Sequence, residues 1–281
     1  MALGSNYPTG NGDTLSKYDF ITQGLLASFF ISEGRGSPGM GGSGFPQRPA
    51  AALLFLLASA LTVAAQTANF SDVNHEFWPE FDVYVNLNEH SRIYALYTAT
   101  KQENLNTYSD GQTGIHIDFY GLRPLRKRVI QYLDRSRSSS LMVRVGYLYS
   151  HPKNNSGAST EHMLTAEATG RAHLAGGLLL SDRNRLDFRW VDGDPKHRYR
   201  NRLKLERTFD IGRFQITPYA HAELFYELKQ REWTRFRYSA GAEWNITKRI
   251  ILEGYFLRQN TWASVPQFVD AFGMAVQFYI R

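Results

Sequence analysis

The chain has 281 residues and no cysteine. That excludes a disulfide framework, a thiolate metal site, a cysteine nucleophile and a lipidated N-terminal cysteine. No Gly-x-Ser-x-Gly motif is present, so the commonest serine-hydrolase elbow is missing. No apolar run reaches the roughly 20 residues that span a bilayer as a helix. No His/Asp/Glu spacing suggests a metal site. Glu161 and His162 are neighbours, but on a strand they point to opposite faces. No cofactor and no metal are therefore expected. Aromatic residues are plentiful, with 16 Tyr, 18 Phe and 5 Trp, and the formal net charge is +6.

The longest apolar stretch reports destination. Ala50 to Val63 is apolar or small throughout, follows Arg48 and precedes Ala64-Ala65-Gln66. A basic residue, a short apolar run and a small-residue cleavage site make a secretory signal peptide. The spacing places it at residues 48–65, with cleavage between Ala65 and Gln66. The 1–47 stretch ahead of it is rich in Gly, Ser and Pro. It reads as a disordered leader or a start-site artefact, with translation from Met40 as the expectation. The barrel or sheet domain then covers residues 66–281.

Two adjacent segments alternate charge and grease. In Arg183 to Trp190, one face carries Arg183, Arg185, Asp187 and Arg189, and the other Asn184, Leu186, Phe188 and Trp190. In Arg198 to Glu206, the charged face is Arg198, Arg200, Arg202, Lys204 and Glu206. Period-2 alternation predicts strands with one ionic and one apolar side. Similar alternation recurs at 80–88, 92–101, 113–121, 141–150, 161–174, 214–227, 235–246, 249–259 and 271–280. That gives eleven strand candidates. Short turns at 88–90, 175–177, 211–213 and 247–248 alternate with longer loops at 102–112, 151–160, 192–197, 228–234 and 260–268. The basic stretch 123–140 breaks that alternation. It reads as a small helix or extended loop at the short-turn end, where it meets lipid head groups or solvates a turn rather than binding nucleic acid.

Such strands suit a soluble secreted sandwich or a membrane barrel. The dense charged faces and aromatics near strand ends (Trp190, Tyr199, Tyr226, Phe236, Trp244) favour the barrel. Single-chain bacterial barrels have even strand numbers. The expected fold is thus all-β, a transmembrane antiparallel up-and-down barrel of about twelve strands, ten being the alternative. The missing strand would lie in 67–78 or 128–136.

The stretches 198–207 (RYRNRLKLER), 217–226 (TPYAHAELFY), 237–243 (RYSAGAE), 257–260 (LRQN), 77–82 (FWPEFD) and 122–125 (LRPL) resemble a bacterial family known only as a domain of unknown function. The resemblance covers roughly residues 76–281. It implies an outer-membrane β-barrel, contact with outer-membrane lipid and the barrel-assembly machinery, and no activity. One departure is the ending Phe278-Tyr279-Ile280-Arg281, where such barrels usually close on an aromatic.

If the apolar face meets lipid, the charges fill the lumen. The expected lumen network is Arg144, Glu167, Arg171, Arg183, Arg185, Asp187, Arg189, Arg198, Arg200, Arg202, Lys204, Glu206, Tyr219, His221, Glu223, Arg235, Arg237 and Glu243. Counting Glu80, Asp82, Asp118, Glu161, Glu227 and Glu253 as well, inward acids and bases number eleven each. Equal numbers predict an ionic ladder, with Asp187, Glu206, Glu223 and Glu243 as its acids. Two functions follow: an envelope scaffold or a narrow small-solute conduit. A barrel enzyme, a lipid hydrolase or acyltransferase using His221, Ser239 and Glu223, is the competing class.

Overall fold

The computed structural model describes residues 73–102, 107–121, 134–152, 159–212, 214–262 and 267–280. The expected leader and signal peptide lie outside these residues. Eleven long strands wind in chain order: β1 (Val73–Asn86), β2 (Ser91–Gln102), β3 (Thr107–Tyr120), β4 (Leu141–Pro152), β5 (Glu161–Leu174), β6 (Leu178–Val191), β7 (Arg198–Arg207), β8 (Phe214–Glu227), β9 (Glu232–Asn245), β10 (Ile250–Thr261) and β11 (Gln267–Ile280). Two short segments, Asp194–Pro195 and Phe209–Ile211, extend the pairing of β6 and β8. Successive long strands pair antiparallel. The last pairs with the first, from Val73 opposite Phe268 to Val85 opposite Ile280, and this seam is parallel. The sheet is therefore one closed barrel rather than two packed layers, and closure removes its edges.

Among the described residues the long strands number eleven, not twelve. An even count follows only when every neighbouring pair is antiparallel. Here the first and last strands run the same way, so the ring closes on an odd number, as odd-stranded barrels do. The described residues of the two segments proposed for it add no twelfth strand. Residues 73–78 begin β1, and 135–138 form a short 3-10 turn. Residues 67–72 and 128–133 lie outside the described residues.

The alternation of loop lengths is also weaker than expected. β3 begins at Thr107 and β9 at Glu232, so strand extends into both the 102–112 and the 228–234 loops. Polar residues near the ends of a barrel strand pair as readily as apolar ones, because backbone bonds make the ladder.

Burial is inverted relative to a soluble core. Asp118 and Glu223 are 0% exposed and Arg92 2%, whereas Phe272 is 66% and Ile115 55% exposed. On β3 the switch occurs residue by residue: Ile115, Ile117 and Phe119 face out, and His116 and Asp118 face in. Leu186, Phe188 and Leu203 are likewise exposed on the outer wall. Strands of 10–14 residues match or exceed the roughly 9–11 tilted residues that cross a hydrocarbon core. Among the described residues, no helix is long and apolar enough to cross a membrane. Trp190, Trp233 and Trp262 are exposed near one end of the strands, and Trp244 near the other.

Two inward aromatic side chains are admitted by glycine on neighbouring strands. A Cβ at Gly273 would collide with the ring of Tyr255, and one at Gly146 with the ring of His116. Both rings occupy the space that a side chain at these glycines would fill.

Candidate functional site

The lumen is built around a few fully buried carboxylates on which several arginines converge. Glu223 on β8 receives four. Arg183 and Arg200 lie 2.8 Å away, Arg202 3.0 Å and Arg237 3.8 Å. Asp187 on β6 receives three, from Arg185 (2.5 Å), Arg198 (2.8 Å) and Arg200 (3.8 Å). The arrangement follows from strand register. β7 sits between β6 and β8, with Arg185 opposite Arg200 and Glu223 opposite Arg202. Inward arginines on one strand thus reach carboxylates on both neighbours.

Nearer the opposite end, Lys204 bridges Glu206 (2.7 Å) and Glu243 (3.2 Å). Arg144 pairs with Asp118 at 2.5 Å. Arg183 also approaches Glu167 at 3.6 Å, and Arg189 pairs with Glu161 at 2.5 Å and Glu227 at 3.9 Å. Tyr219 donates its hydroxyl to Glu253. Arg171 donates to the Ser136 carbonyl at 3.1 Å, and Arg237 to Gln259 at 2.6 Å. The eighteen expected lumen residues therefore share one interior, but their pairing is not a one-to-one ladder. Arg171 and Arg235 join none of the ion pairs of the described residues. Nor do Glu80, Asp82 and Glu253.

Three inward groups were not legible as such in the sequence. Arg92 starts β2, in a segment read as aromatic and small. It donates to Asp118 (2.7 Å) and Asp134 (2.6 Å) and stacks over Tyr84, 4.3 Å from the ring centroid. Tyr84, Tyr94 and Tyr279 stack beside it at 4.6 and 4.7 Å and form, with Ile251, an apolar cluster of the interior. Phe225, 1% exposed, shares the inward parity of Glu223 and Glu227 on β8. Arg198, Arg200, Arg235 and Arg237 all lie within 4.6–5.3 Å of its ring, so it serves as a cation–π hub.

Arg137 is the third, and it corrects the reading of the basic stretch. It points into the barrel rather than toward lipid head groups or solvent. Its guanidinium meets Glu243 at 2.5 Å and Glu206 at 3.5 Å. The 3-10 turn Arg135–Ser138 is capped by Asp134, whose carboxylate accepts from the Ser136 amide. Ser140 accepts from the Arg171 amide at 2.8 Å. The turn is thus tied to β2, β5, β7 and β9 at the end of the barrel where Arg92, Arg171, Glu206 and Glu243 lie. Burial alone would raise the Asp134 carboxyl, but Arg92, Arg137 and Arg171 outweigh it and hold it below the usual carboxylate range. Burial would likewise lower Arg137, and Glu206, Glu243 and Asp134 overrule it, holding Arg137 well above its ordinary value.

The catalytic grouping considered from sequence is not assembled. His221 lies opposite Ser239 in register. Ser239, however, donates to the Phe256 carbonyl at 2.8 Å, and neither ring nitrogen of His221 has a hydrogen-bond partner. Glu223 is already engaged by four arginines. A nucleophile needs its base within hydrogen-bond reach. Among the described residues, no group of three or more His, Asp or Glu is placed to hold a metal ion.

Two cavities occupy the lumen. One of about 540 Å³ is lined by Trp78, Glu80, Arg202, Arg237, Glu253 and others. One of about 160 Å³ lies toward the Asp134–Arg137 turn. Arg137, Arg144, Arg183, Arg202 and Lys204 line both, together with Asp134 and Tyr84, so a mostly cationic waist separates them.

A family model described as "Protein of unknown function (DUF2490)" matches residues 116–269. No curated protein matches the chain. Among solved structures, the chain is similar to the crystal structure of the beta domain of the Bordetella autotransporter Brka. The identity is 13% and the TM-score 0.38, over 68% of this chain and 84% of that one.

Proposed function

The chain belongs to the DUF2490 family, and we propose that it is a bacterial outer-membrane β-barrel serving as a narrow conduit for small polar solutes. The observation that carries the membrane reading is the inversion of burial. Fully buried Asp118, Asp187 and Glu223 stand behind an outer wall on which Phe81, Ile115, Phe119 and Phe272 are exposed. In water that wall would be a large apolar patch of the kind soluble monomers avoid. In lipid it is the ordinary outer face of a barrel. A signal peptide at 48–65 would deliver the chain there.

The conduit reading rests on the interior. The larger cavity falls in the range of small-molecule sites, roughly 300–1,000 Å³. The cationic waist and the docked turn narrow the path well below that of a 16–18-stranded porin. Membrane fractionation and heat-modifiable gel migration test the first part. Recovery in the soluble fraction without detergent would end it. Planar-bilayer recording tests the second. Small defined currents that change in Arg200→Ala or Arg202→Ala support a conduit, and electrical silence in all three proteins returns the barrel to a scaffold.

A further inference from the structure

The charges that line the larger cavity are unevenly distributed. Glu80 lies on β1 and Glu253 on β10, neighbours in the ring through β11. β6 and β7 lie across the ring from them. On that far side Arg183 and Arg202 face the same cavity. The carboxylate they share, Glu223, is fully buried and does not line it. The cavity therefore sees guanidinium on this wall, and Arg137, Arg144 and Arg237 line it from other elements. On the other wall it sees Glu80, Asp82 and Glu253, which take part in none of the ion pairs of the described residues. Asp82 accepts from Tyr94 at 3.0 Å and shares a proton in a hydrogen bond with Glu80, and Glu253 accepts from Tyr219 and from Gln277 (2.9 Å). Those donors are neutral.

Two imidazoles reach the same space with unmet hydrogen-bonding capacity. His116 is 2% exposed and, among the described residues, its Nδ1 has no partner and His221 has none on either nitrogen. Buried polar atoms in folded proteins are nearly always satisfied, so unpartnered ones facing a cavity point to an occupant.

We propose that this cavity is a binding site for a small amino-acid-like zwitterion, its anionic end on the Arg183/Arg202 wall and its ammonium on the Glu80/Glu253 wall. A ligand with both charges compensates both walls in one pose. A simple anion satisfies the arginines but is repelled by the facing carboxylates, and a simple cation meets the reverse penalty. This inference rests on the outer-membrane conduit reading and names the solute class that reading leaves open.

The test uses the full chain folded in detergent micelles. The probes are 4-aminobutyrate and its two halves, butyrate and butylammonium. Binding is read by calorimetry and by fluorescence of the tryptophans, of which Trp78 lines the cavity. 4-Aminobutyrate is expected to bind at least about tenfold more tightly than either half, the equivalent of one charge-assisted hydrogen bond. The double variant Glu80→Gln/Glu253→Gln should lose that advantage while binding butyrate as well as before or better. Arg202→Gln should weaken 4-aminobutyrate and butyrate together. Equal binding of butyrate and 4-aminobutyrate, or binding of neither, overturns the proposal. Heat-modifiable migration of each sample separates the outcomes. A sample that lacks it fails the barrel reading itself. Heat-modifiable samples without selectivity fail only the zwitterion site.

Discussion

Replacing Glu223 by glutamine removes one negative charge and almost no volume, yet it strips four guanidinia of their common partner. At an effective dielectric of about 20, a pair 3 Å apart has a gross Coulomb attraction of about 5 kcal/mol. Three of the four arginines lie within 3.0 Å of Glu223. Desolvation of the carboxylate offsets most of that sum. The measured cost of removing one member of a buried pair is about 3–5 kcal/mol. Glu223→Gln should sit at or above the top of that range, because it uncovers several cations at once and Asp187 already serves Arg185, Arg198 and Arg200. The assay is urea unfolding of the barrel from lipid vesicles, followed by tryptophan fluorescence, with Arg258→Gln as a comparison. Arg258 pairs with Asp270 on the wall rather than at these hubs. A loss of 3 kcal/mol or more corresponds to over a hundredfold in the folded-to-unfolded ratio. A Glu223→Gln barrel within about 1 kcal/mol of wild type would refute the reasoning, since a penalty that small is the mark of solvent-screened pairs.

Further outcomes follow from other parts of the wall and the turn. Gly273→Val forces Tyr255 off its neighbour strand and should lower the unfolding free energy by about 1–3 kcal/mol, whereas Gly254→Ala, with open space around its Cβ, should change it little. Phe272→Arg places a charge near the middle of β11 on the outer wall and should destabilise the inserted barrel by about 2–4 kcal/mol, read by the same titration, while Phe272→Leu should not. The docked turn should depend on acid in a defined direction. Asp134 is held below the usual carboxylate range, so its contribution is complete above the unfolded value of about 4 and fades as pH falls below it. Asp134→Asn should remove that acid dependence, and proteolysis within 122–140 as a function of pH reads it directly.

Much of this architecture is legible in the sequence because a barrel strand writes its two environments residue by residue. Arg198 to Glu206 declares one ionic face, and that face proved to be the lumen. Asp187, Glu206, Glu223 and Glu243 are identifiable as acids of the network from parity alone. The strand number was misjudged for a different reason. Eleven segments alternate, but the parity rule presumes antiparallel closure, and the parallel β1/β11 seam leaves no trace in local pattern. Arg92 and Phe225 were overlooked because each interrupts the composition of its segment while keeping the inward parity. Arg137 could not be placed by periodicity at all. It sits in a connection, and its partners Glu206 and Glu243 lie 69 and 106 residues downstream. The ionic ladder crosses strands as expected, but its pairs are shared unevenly. Equal totals of acid and base say nothing about sharing, and here four arginines crowd one carboxylate while Glu80, Asp82 and Glu253 join none of the ion pairs of the described residues.

The central claim is that the apolar wall faces lipid and the charged wall faces the lumen. The absence of native cysteine makes a direct test simple. Single cysteines at Ala271, Phe272, Met274 and Ala275 on β11 can each carry a spin label in the vesicle-inserted barrel. Collision with lipid-soluble oxygen should be high at 272 and 274, whose side chains are exposed, and low at 271 and 275, which are buried. Loss of that alternation, or the opposite phase, would contradict the account.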